Sequence, residues 1–147
     1  MSLAAIRDLV LAYRANFVRV QDVDHFNLGV RDHWEDKYAE FEAAIAGGPK
    51  VRGDCEDFAQ SCEHAVWNRE LLPANRISLH LVRADTHGDP SIKEDHAIAV
   101  FDIGEMWVAD SLKNMPGFYR FAECPYRLQR HSFYHEPMKW YRTLRHD

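Results

Sequence analysis

A chain of 147 residues, 46% hydrophobic and 12% aromatic, carries enough apolar mass for one core that stands without disulfides or metal, and it fits a single domain over 1–147. A formal charge of −5 and a pI near 6.0 leave no basic footprint, which excludes nucleic-acid binding through counterion release. No run reaches membrane-spanning length, Arg7 and Asp8 interrupt any secretory h-region, and three irregularly spaced cysteines suit reduced thiols. The expectation is a cytoplasmic protein off the membrane, periplasmic only if a signal has been removed.

Ile6, Leu9, Val10, Tyr13, Phe17 and Val20 recur at three- and four-residue steps, which predicts an amphipathic helix from Leu3 to about Val20, lying as a lid on the core. After a polar connection with Asn27 and Gly29, Trp34, Tyr38, Phe41 and Ile45 repeat the period until Gly47-Gly48-Pro49 ends it. A third helix follows Asp54, a good N-cap, and carries Cys55, Phe58, Ala59, Cys62, Ala65 and Val66 in one stripe down to Leu71-Leu72-Pro73. The period then changes. Residues 77–82, 96–103, 106–112 and 139–143 are short, alternating and rich in strand formers. Helices first and strands afterwards predict an α+β domain, with N-terminal helices packed on a C-terminal antiparallel β-sheet.

The stretch Gly53-Asp54-Cys55-Glu56-Asp57-Phe58 carries the most chemistry. A thiol at a helix N-terminus faces unsatisfied N–H groups and the positive end of the helix dipole, which favour the thiolate and can hold an oxyanion. Asp54, Glu56 and Asp57 act against this, since like charge disfavours the thiolate, so a histidine partner has to offset them. These carboxylates have two readings: helix caps, or, for Asp54 and Glu56, ligands of a hard cation such as Ca²⁺. Cys62, two turns along the same face, reads as core, and Cys124, before Pro125, as an incidental thiol.

His96 opens the run His96-Ala-Ile-Ala-Val-Phe-Asp-Ile103, and Asp110 lies in Met106-Trp-Val-Ala-Asp-Ser-Leu112. With a three-residue loop, Ile103-Gly104-Glu105, Asp102 pairs with Met106, and His96 and Asp110 become diagonal neighbours on one face. A two-residue loop separates them. Their shared face, with Ile98, Val100 and Val108, is expected to receive the helix bearing Cys55. His96 would then take the thiol proton while Asp110 fixes its tautomer, with Asp102 and Asn114 as fallback orienters. His131 and His135, with Cys124, offer a weaker zinc alternative that lacks any CxxC or HExxH signature.

Together Gly53-Asp-Cys-Glu-Asp-Phe-Ala59, His96-Ala-Ile-Ala-Val100 and Trp107-Val-Ala-Asp110 resemble, in order, the motifs of the bacterial transglutaminase-like cysteine peptidases over about residues 34–112. The resemblance implies a papain-like, transglutaminase-core fold, with Cys55 as nucleophile, His96 as base and Asp110 as orienting acid. Some members of that family bind calcium near the nucleophile, at carboxylates that correspond to Asp54 and Glu56. Two features depart from it: no export signal is visible, and Ser111 replaces the asparagine common after the family's aspartate. The expected activity is hydrolysis of an amide in a protein or peptide substrate. Transglutaminase-type transfer to an amine, a catalytically inactive binding module on the same fold and a metal-dependent hydrolase are the alternatives.

Overall fold

The computed structural model describes residues 3–20, 36–84 and 94–144, with the side chains of Ala84, Glu94 and Asp95 excepted. The connection at Asn27 and Gly29 and the predicted helical residue Trp34 lie outside the described residues. Among the described residues three α-helices precede the large sheet. α1 (Leu3–Ala15) buries Ile6, Leu9, Val10 and Tyr13, α2 (Tyr38–Ile45) buries Phe41 and Ala44, and α3 (Cys55–Asn68) buries the whole predicted stripe. Stacking of Tyr13 on Phe41 at 4.6 Å, with Phe17 5.2 Å from Phe58, joins the three around one aromatic cluster.

α1 ends short of the predicted Val20. The Asn16 side chain bonds the Ala12 carbonyl, and its N–H bonds Tyr13, closing the last turn. The chain then extends as β1 (Phe17–Arg19), paired in parallel with β2 (Val51–Gly53). Phe17 and Val20 fall on the helical period by coincidence, and tertiary pairing decides their conformation. α2 closes as predicted: Gly47 takes φ +106°, a left-handed cap natural to glycine, and the N–H of Gly48 reaches the Ala43 carbonyl at 2.8 Å.

The sheet has six antiparallel strands in the order β6-β5-β4-β3-β7-β8. These are β3 (Ile77–Ala84), β4 (Glu94–Asp102), β5 (Met106–Ala109), β6 (Phe118–Arg120), β7 (Arg127–Phe133) and β8 (Tyr141–Arg142). The four predicted strand regions correspond to β3, β4, β5 and β8. β6 and β7 were not foreseen, because Arg127-Leu-Gln-Arg-His-Ser-Phe133 is too polar to show alternation.

One expectation is corrected. α3 packs against Ala97, Ala99, Phe101 and Ala109, while Ile98, Val100 and Val108 point to the other face and meet Leu112, Tyr119, Phe121 and Tyr126. The alanines leave room for a helix, and the chain after β5 folds back to cover the bulkier face.

Candidate active site

The β4–β5 hairpin has the three-residue loop, with Asp102 opposite Met106, Val100 opposite Val108 and Ala99 opposite Ala109. Gly104 adopts φ +99°, and its N–H is held by the Asp102 carboxylate at 2.9 Å. This register brings His96 and Asp110 together: Nε2 of His96 lies 2.8 Å from Oδ1 of Asp110. Both side chains are fully buried. Of the fallback orienters, Asp102 is occupied by the turn, and Asn114 is exposed.

Asp110 is saturated. Besides His96, Oδ1 accepts the Leu112 N–H at 3.1 Å, and Oδ2 accepts the hydroxyls of Tyr119 at 2.7 Å and Tyr126 at 2.6 Å. Burial alone would push its carboxyl up, but the hydrogen bond and charge of His96, with Tyr126 and the Leu112 N–H, outweigh burial and hold it below the usual range. Burial and the Asp110 charge push both phenols far up, so they stay protonated donors. The sequence gives no local signal for these tyrosines, which lie nine and 16 residues beyond the aspartate they hold. An ionised Asp110 requires the His96 proton on Nε2, which leaves Nδ1 as an acceptor in the neutral ring. That Nδ1 is buried and has no hydrogen-bond partner among the described residues.

Cys55 is the first residue of α3, almost fully buried. Asp54 caps the helix and forms a reciprocal capping box with Asp57, each bonding the other's backbone N–H at 3.1 Å. The Cys55 thiol lies 3.4 Å from Oε2 of buried Glu56 and receives a hydrogen bond from the backbone N–H of Ala97, the residue after His96. Burial and the Glu56 charge push the thiol well up, Asp54 adds to this, and the Ala97 N–H and Arg19 counter it only in part. Burial and the carboxylates therefore outweigh the Ala97 N–H and Arg19, which favours the protonated thiol.

Glu56 has no hydrogen-bond partner among the described residues except that thiol, a weak donor for a buried carboxylate. In kind, Asp54 and Glu56 suit a hard cation. Calcium takes about six to eight oxygens, however, and among the described residues no group of three or more His, Cys, Asp or Glu could hold a metal. The zinc alternative is not assembled: His131 bonds Thr143, His135 pairs with Glu136, and Cys124 is buried beside Tyr119 and Tyr126. Cys62 lies in the core, as expected, and all three cysteines are thiols.

Helices packed on a six-stranded antiparallel sheet, in an arrangement shared with the solved structures below, make this the transglutaminase-like fold. The chain is similar to solved structures of LapG from Legionella pneumophila. One has a TM-score of 0.57 at 17% identity, covering 88% of this chain and 64% of that one. A calcium-bound LapG has a TM-score of 0.56 at 16% identity, with 88% and 64% covered. An EGTA-treated LapG has a TM-score of 0.57 at 17% identity, with 88% and 62% covered. The chain thus spans about 64% of the length of the LapG structures it matches, and a likeness at this identity establishes the fold. No protein-family model and no curated protein matches the sequence. No helix among the described residues is long and apolar enough to cross a membrane.

Proposed function

We propose that the protein hydrolyses an amide bond in a protein or peptide substrate through a thioester at Cys55, with His96 as base and then acid and Asp110 as its orienting carboxylate. The observation that carries this is the buried His96–Asp110 pair, whose Nδ1 is unpartnered beside the strand residue that touches the Cys55 thiol. The transglutaminase-like fold shared with the LapG structures supports this reading.

Because the resting thiol is protonated, attack and deprotonation are coupled. Nδ1 of His96 takes the Sγ proton as sulfur bonds the carbonyl carbon, and Asp110 stabilises the imidazolium. The Asp57 N–H is used by the Asp54 cap, so the N–H groups of Cys55 and Glu56 at the start of α3 are the donors for the oxyanion. His96 returns the proton to the leaving amine, and water, activated by the same imidazole, attacks the thioester and restores the thiol. An amine in place of that water gives transamidation.

One observation favours the inactive binding module: the thiol is pushed up rather than down. Iodoacetamide separates the two readings. With His96 taking the proton as sulfur attacks, it should modify Cys55 at neutral pH ahead of Cys62 and Cys124, with cleavage of a peptide library lost in step with Cys55 modification. Full modification with cleavage retained overturns the thiol mechanism, and an inert Cys55 with no cleavage favours the binding module.

Were calcium to bind here, Asp54 and Glu56 would be two of its ligands, and it would supply positive charge against the carboxylates around Cys55. A melting temperature higher in millimolar calcium than in EGTA, with the difference lost in Glu56→Gln, is the expected result. Equal melting temperatures in the two conditions would remove the ion from the proposal.

A further inference from the structure

Around the start of β1 lies a cavity of about 360 Å³ that the thiol mechanism leaves unused. Its lining includes three cationic side chains, Arg14, Arg19 and Lys113, together with Ser111 and the apolar Leu11 and Phe17. Among the described residues no carboxylate lines it. In a chain with a formal charge of −5, three cations on one cavity run against the overall balance.

The cavity sits at both ends of the proposed machinery. Arg19 pairs with Gly53 in the β1–β2 ladder, two residues before Cys55, and its charge reaches the thiol. Ser111 directly follows Asp110. Arg14 is held in place by donating to the carbonyls of Leu112 at 2.7 Å and Met115 at 2.6 Å, so its partners are neutral. Lys113 is exposed and has no ion pair among the described residues. Ser111 is only 5% exposed, and its Oγ is buried with no hydrogen-bond partner among the described residues. A buried hydroxyl without a partner costs free energy unless something supplies one, and here it borders a cationic cavity.

We propose that this cavity is an anion-binding subsite of the active site, in which Arg14, Arg19 and Lys113 attract a substrate carboxylate close to the scissile amide and the Ser111 hydroxyl, turned out of its buried position, donates to it. The carboxylate belongs either to an acidic side chain or to a chain terminus. The apolar Leu11 and Phe17 take the carbon chain that carries it. This substrate preference rests on Cys55 being the nucleophile, whereas the binding itself does not.

Titrating the Cys55→Ala protein with two pairs of small probes tests it. N-acetylglutamate α-methylamide against its glutamine counterpart reads a side-chain carboxylate, and N-acetylalanine against N-acetylalanine amide reads a terminal one. At least one carboxylate should bind about tenfold tighter than its amide. That preference should fall in Lys113→Gln and in Ser111→Ala, and on raising salt. Equal binding within both pairs, or a preference untouched by both substitutions, overturns the subsite. Because Cys55 is absent from the titrated protein, that failure leaves the thiol mechanism standing, and an inert Cys55 in the wild type leaves the subsite standing.

Discussion

Replacing Cys55 with Ala, or His96 with Ala, should each lower turnover of a cleaved peptide by about 10⁴-fold or more, and the double variant should be no worse than either alone. The reason lies in the raised thiol. A cysteine that carried a standing thiolate would keep part of its nucleophilicity without the imidazole. Here burial and the Glu56 charge keep the proton on sulfur, so attack without a base has to begin from the thiol. Nucleophile and base then act as one unit, and removing the second has nothing left to remove. The steady-state rate of the three variants checks this, with circular dichroism to confirm that they fold. A His96→Ala protein within tenfold of wild type would mean that another group takes the proton.

The parts legible in sequence were those in which one short-range rule decides the outcome. A glycine that tolerates positive φ, placed between two alternating runs, marked the β4–β5 hairpin but left its loop at two or three residues, and the three-residue register of the structure is what brings His96 to Asp110. Asp54 before an apolar stripe set the start of α3 and put Cys55 in its first turn. Where several elements compete, sequence ran out. Phe17 continues the helical period of α1, yet pairs with Val51 across a long stretch of chain. The face of β4 that receives α3 was misjudged because large residues weigh more than alanines in an apolar pattern, although a helix needs the room that Ala97 and Ala99 leave. Tyr119 and Tyr126 were invisible for a related reason. One sits on a three-residue strand and the other just before β7, and only the tertiary fold aims both hydroxyls at one carboxylate oxygen.

That carboxylate is also a keystone of stability, and its contribution depends on pH in a defined direction. Asp110→Ala would leave the hydroxyls of Tyr119 and Tyr126, the Leu112 N–H and the His96 N–H without their buried acceptor. Breaking such a buried charged network costs about 3–5 kcal/mol, enough to unfold a marginal domain. Asp110→Asn is the sharper probe, because it keeps the volume and one acceptor oxygen but sets an NH₂ against groups that are themselves donors. The folded carboxyl is held below its unfolded range, so the stability it contributes is fully present above an unfolded value of about pH 4 and is lost as pH falls through the folded value. The gap in urea midpoint between wild type and Asp110→Asn should therefore be widest near pH 7, hold to about pH 5 and narrow steadily below pH 4. A gap that stays constant down to pH 2 would mean that the network holds Asp110 by shape rather than by its charge.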